Sequence, residues 1–150
     1  MQKPTFVYVT YIRTTPEKLW RAITDPEFAR QYWGGNVNVS DWKRGSKWQH
    51  IAEHDNNAVY VSGEVLESDP PKRLVLTWFD PEDTADTSCL TFEIEPVEDL
   101  VRLSVTHGGF KDDSVMAGRI AWGWPVVLSS MKSYLETGKG INIIKPCKAT

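Results

Sequence analysis

Three histidines, two cysteines and one group of carboxylates are the side chains whose types could do chemistry. His50, His54 and His107 are scattered, and the first two fall on a strand end and a turn, without the helical spacing of a zinc motif. Cys89 lies in an apolar run and Cys147 is the fourth residue from the end. Neither has a partner at metal-ligand or redox spacing, so both are expected to be free thiols in a reducing compartment. Nothing beside Cys89 marks it as an activated nucleophile. Glu64, Glu67 and Asp69 could make an acid–base pair, but strand alternation predicts Glu64 and Glu67 on opposite faces. Gly108-Gly109 lacks the surroundings of a phosphate-binding loop. The pattern therefore provides no catalytic set, no metal site and no cofactor site. One enzymatic alternative remains, in which His107 or Tyr60 acts as general acid or base on a cyclic, polyketide-like substrate.

The aromatic residues are more informative. Seven tryptophans in 150 residues exceed what a domain of this size needs to fill its interior. Strand parity places Trp48 with His50, Trp78 with Leu74 and Leu76, Phe92 with Leu90 and Ile94, and His107 with Leu103 and Val105. The alternate positions carry Lys47, Gln49, Glu93, Glu95, Arg102 and Ser104, so the first set is expected to face inward. Trp33, Met116, Trp124 and Met131 arrive from helical segments. Aromatic and thioether walls with a few polar groups are the usual lining of a small-molecule pocket. The candidate ligand-binding residues are thus Trp33, Trp48, His50, Tyr60, Trp78, Phe92, His107, Met116, Trp124 and Met131, with His107, His50 and Tyr60 as polar handles. The bland alternative for each is plain core.

The elements that would position them follow in order. Residues 5–13 alternate β-branched and aromatic side chains on both faces, Phe6, Tyr8 and Ile12 against Val7, Val9 and Tyr11, which predicts a strand partly covered on both sides. Thr15-Pro16 and Asp25-Pro26 each pair a capping residue with a proline at the first helical position, predicting two short helices, the second ended by Gly34-Gly35. Six strand-like pieces follow, 37–42, 47–53, 58–67, 73–79, 88–95 and 100–107, separated by turn residues and by an acidic loop over 80–86. Short connections predict an antiparallel meander. Met116, Ile120, Trp124, Val127, Met131 and Leu135 then recur at helical spacing up to Gly138. Gly118, Gly123 and Pro125 predict a break or kink near 122–125, with a continuous helix only from there to Thr137.

A helix with so long an apolar face needs a partner of matching size, and the sheet offers one. The expected fold is α+β of the helix-grip type: a curved antiparallel sheet of six or seven strands wrapped on a long C-terminal helix, with two short helices after the first strand. The length suits one domain spanning 1–150, without disulfide or metal staples. A net charge of −3 with interleaved signs argues against a nucleic-acid partner, and the Lys43, Arg44, Lys47 cluster reads as a solvated loop. The opening MQKPTFVYVTY has no signal-peptide pattern and no apolar run reaches membrane-spanning length, so the cytoplasm is the expected location and membrane insertion is not expected.

Thr14-Thr15-Pro16-Glu17 with Leu19-Trp20, Thr24-Asp25-Pro26-Glu27 with Tyr32-Trp33, and 63–67 (GEVLE) followed by 70–74 (PPKRL) and Thr77-Trp78 form a recognisable series. Thr106-His107, Gly109-Phe110 and Gly123-Trp124 through Leu135-Glu136-Thr137-Gly138 complete it. The series resembles the activator of heat-shock-protein-ninety ATPase homologue family, within the START-like and birch-pollen-allergen-like superfamily. The resemblance implies the same helix-grip fold. It further implies either a small hydrophobic or amphipathic ligand held between sheet and helix by a non-catalytic, stress-related carrier or sensor, or a co-chaperone-like interaction module that stimulates a chaperone partner's ATPase. Monomer and homodimer are both compatible with the sequence.

Overall fold

Residues 5–141 are described by the structure, a computed structural model. Seven strands, β1 (Phe6–Ile12), β2 (Asn36–Ser40), β3 (Lys47–Ala52), β4 (Ala58–Asp69), β5 (Arg73–Asp80), β6 (Asp83–Val97) and β7 (Leu100–Gly108), form one antiparallel sheet in the order β1-β7-β6-β5-β4-β3-β2. The sheet curls as a half-barrel. Helices α1 (Pro16–Thr24) and α2 (Pro26–Tyr32) link the two edge strands, and α3 (Val115–Thr137) packs on the sheet. This is the helix-grip arrangement.

Local chemistry sets the two short helices. The Thr15 hydroxyl accepts the Lys18 N–H, and Asp25 both ends α1, through its N–H to the Arg21 carbonyl, and caps α2 by accepting the Glu27 N–H. Each has proline in its first turn, where the missing N–H has no intrahelical use. Gly138, at φ 87°, ends α3 in the left-handed region.

The alternation on the central strands holds. Trp48, Leu74, Leu76, Trp78, Leu90 and Phe92 are buried on the concave side, as are Leu103, Val105 and His107. Gly63 is a site of close approach: a Cβ there would meet the Thr77 carbonyl oxygen at 1.9 Å and Trp48 Nε1 at 2.4 Å. The Trp48 indole lies across that glycine and donates to the Thr77 carbonyl at 2.8 Å.

Four expectations are corrected. The outer face of β1 is open, with Val7 59%, Val9 48% and Tyr11 43% exposed, because α1, α2 and α3 lie on the other side of the sheet. The acidic segment 80–86 is mostly strand: β5 and β6 turn tightly at Pro81-Glu82, with Asp80 opposite Asp83. Glu64 and Glu67 share the outer face rather than opposing ones, because the register shifts between Val65 and Glu67, and a bulge inverts parity beyond it. They form no acid–base pair, since Arg73 bridges Glu67 at 3.4 Å and Glu93 at 2.9 Å. Finally, α3 runs unbroken through Pro125. Met116, Ile120 and Trp124 before the proline and Val127, Leu128 and Met131 after it are all buried. Burying apolar side chains, worth about 1.5–3 kcal/mol each, on both sides offsets the roughly 3 kcal/mol of one interior proline.

Candidate functional site

Between the concave face and the first half of α3 lies a cavity of about 310 Å³. Trp33 closes it from the end of α2, His50 from β3, and Val59, Tyr60 and Val61 from the start of β4. Trp78 forms its wall from β5, and Asp80 and Glu82 stand at the β5–β6 turn. The helix contributes Met116, Arg119, Ile120, Gly123, Trp124 and Val127, successive positions of one face at spacings of three and four. Arg119 is exposed and Nη1 reaches Asp80 Oδ2 at 3.4 Å, so the charged side chains mark the mouth and the rings mark the interior.

Of the ten residues singled out by sequence, Trp33, His50, Tyr60, Trp78, Met116 and Trp124 line this space. Trp48, Phe92, His107 and Met131 do not; they are buried in the solid core beside it. Their burial has identifiable partners. Trp48 packs on Trp78 at 5.5 Å, and Phe92 meets Trp124 edge-on at 5.8 Å. Met131 lies two turns beyond Trp124, where α3 closes on α2: the Ser130 hydroxyl donates to the Tyr32 carbonyl at 2.7 Å.

His107 is held on both ring nitrogens. The Trp124 indole N–H donates to Nδ1 at 3.1 Å, and Nε2 lies 2.9 Å from the Ser88 hydroxyl, which itself donates to the Trp78 carbonyl. That chain fixes a neutral ring protonated on Nε2. Burial pushes its pKa down to about 3, against a smaller opposing pull from Asp86. With no exposure and no free nitrogen, His107 is excluded as the general acid or base of the enzymatic alternative.

His50 touches the cavity yet is similarly committed. Its Nδ1 lies 2.8 Å from Asn38 Oδ1 and its Nε2 3.3 Å from Asn36 Nδ2, which sets the Nδ1–H tautomer. Burial lowers its pKa to about 4. Tyr60 donates to Asp55 Oδ2 at 3.3 Å. Cys89 projects from the outer face, where partial burial raises its pKa and disfavours the thiolate. Among the described residues no group of His, Cys, Asp and Glu could hold a metal ion, and no helix is long and apolar enough to cross a membrane. Cys147 lies outside the described residues.

Sequence reasoning passed over Val59, Val61, Asp80, Glu82, Arg119 and Gly123. Arg119 and Gly123 follow from Met116 by helical spacing alone, but a charge and a glycine within the stripe were not counted as wall. Asp86, grouped with the acidic loop, is instead a buried anchor. Its carboxylate accepts the Lys111 N–H at 2.9 Å and the Ser114 hydroxyl, and Ser114 caps α3 through the Ala117 N–H.

An antiparallel sheet gripping one long helix around an internal space defines the chain as a helix-grip protein. The model of the family described as Activator of Hsp90 ATPase homolog 1-like protein matches residues 13–136, and the chain belongs to that family. A crystal structure of a protein from Mesorhizobium loti is 30% identical, with a TM-score of 0.74 over 88% of this chain and 96% of that one. The solution structure of the Aha1 dimer from Colwellia psychrerythraea shares the fold at 22% identity and TM-score 0.73, covering 92% of this chain and 100% of that one. An HSP90 activator from Plasmodium falciparum does so at 24% and 0.67, covering 80% and 86%. No curated protein sequence matches.

Proposed function

We propose that this protein holds a small hydrophobic or amphipathic molecule in the cavity between β3–β5 and α3, as a carrier or sensor that does not alter it. The carrying observation is an open-mouthed cavity of about 310 Å³ walled by Trp33, Trp78 and Trp124, with charged side chains at its rim. That is the size and character of small-molecule sites, which start near ~300 Å³. The two buried histidines are neutral and have both nitrogens engaged, which supports binding over chemistry. A reducing, cytoplasmic setting suits the free thiol of Cys89.

The test is tryptophan fluorescence during titration with fatty acids, sterols and flavonoids, since three wall residues are themselves reporters. Saturable quenching or a spectral shift is expected in the native protein and its loss in Gly123→Leu, whose side chain enters open space at the cavity wall. Identical, flat titrations of both proteins would overturn the reading.

A second reading is a stress-linked co-chaperone module acting on a chaperone ATPase. Family membership favours it, as does the exposed apolar row Val7, Val9 and Tyr11 on the outer face of edge strand β1. Stimulation of an Hsp90-type ATPase by the native protein, reduced in Val7→Glu/Val9→Glu, is the expected result under that reading; no stimulation at saturating protein would exclude it.

A further inference from the structure

Charge at the cavity mouth is unequal. Among the described residues, Asp80 and Glu82 at the mouth are accompanied by a single cation, Arg119, which is already directed at Asp80. A third carboxylate, Asp55, accepts the Tyr60 hydroxyl at 3.3 Å. Lys111, from the segment between β7 and α3, is engaged by Asp83 just past this turn at 3.0 Å. Farther in, the described lining residues carry no positive charge, because His50 is a neutral ring with one nitrogen donating and the other accepting. What the interior offers instead is indole surface, which suits an apolar body.

We propose that the cavity selects an apolar molecule bearing a cationic amine or quaternary ammonium group, with its apolar body against Trp78 and Trp124 and its charge at the mouth beside Glu82. The inference rests on the cavity-binding reading above and adds the sign of the ligand's charge. An anionic head group would meet the uncompensated Glu82, and would have to share Arg119 with Asp80. A cation meets the surplus carboxylate directly.

Three probes with one chain length separate the terms: octyltrimethylammonium, octanoate and octanol, titrated by calorimetry at low ionic strength. The ammonium is expected to bind roughly tenfold more tightly than octanoate, the scale of one unit charge near a protein surface. The preference should shrink in added salt and fall several-fold in Glu82→Gln, an exposed turn substitution. Octanoate binding as tightly as the ammonium, or an unchanged preference in Glu82→Gln, would overturn the charge selection while leaving the cavity reading intact. Failure of all three probes, octanol included, would overturn both.

Discussion

The interior has a solid part and a hollow part, built from the same residue types. Trp78 and Trp124 are the partition. On one side they pack on Trp48, Phe92 and His107, and on the other they face the cavity with Trp33, Met116 and Ile120. The solid side is fastened by polar bonds across tertiary contacts: Trp48 to the Thr77 carbonyl, Ser130 to the Tyr32 carbonyl, and Lys132 to the Tyr11 carbonyl at 2.5 Å. The Glu136 carboxylate adds the Arg13 N–H at 2.9 Å. The first half of α3, over the hollow side, is tied down mainly at its ends, by Ser114 and Asp86 and by the Trp124–His107 bond. An aromatic ring or a histidine does not by itself distinguish wall from core. What separates them is whether the space around the ring is filled by a neighbour.

Substitutions on the two sides should therefore differ in size and sign. The largest effect is expected from Gly63→Ala on the solid side. Its methyl would overlap the Thr77 carbonyl and the Trp48 indole, neither a flexible chain end, and should cost about 3 kcal/mol or more, read as a lower urea midpoint. A small change there would mean that β4 and β5 can part without disturbing Trp48.

Next comes His107→Leu, which strands the Trp124 indole N–H and takes a partner from Ser88. A loss of about 2–3 kcal/mol is expected in the same measurement. Ligand titrations should change little, since His107 does not line the cavity.

The two histidines also predict a pH response. In the unfolded chain each has a pKa near 6.5, whereas in the fold His50 is lowered to about 4 and His107 to about 3. Between those limits the unfolded state binds more protons, so stability is full above about pH 6.5 and falls on acidification towards pH 4. Each ring contributes up to about 1.4 kcal/mol per pH unit. Urea melts at pH 7, 6 and 5 check this, and His50→Gln should flatten the slope by roughly one ring's share. A pH-independent midpoint over that range would show that the rings charge freely in the fold.

The smallest effect lies on the hollow side. Gly123 is inside α3, and a Cβ there meets nothing, so Gly123→Ala should raise stability by about 0.5–1 kcal/mol. A loss would show that the cavity wall is tighter than described.

Much of this frame is legible in the sequence. Thr15-Pro16 and Asp25-Pro26 announce their helices because a cap and a proline act locally, and the concave set from Trp48 to His107 follows from alternation alone. The misreadings share a physical cause, tertiary context. A bulge after Val65 puts Glu67 on the face of Glu64, and no local residue type signals it. Pro125 is carried inside α3 because buried contacts on both sides outweigh it. Val7, Val9 and Tyr11 alternate like core residues, yet the outer face is left uncovered. The cavity is the least legible feature, because a void is a property of several neighbours at once. Trp48 and Trp78 sit on adjacent inward positions, and only the second has empty space before it.

Native mass spectrometry of the freshly purified protein, set against its denatured mass and against Gly123→Leu, tests the central claim most directly. A reproducible additional small mass on the native protein, lost on denaturation and absent from Gly123→Leu, is expected. A clean apo mass for both proteins that persists after incubation with octyltrimethylammonium, octanoate and octanol would contradict it.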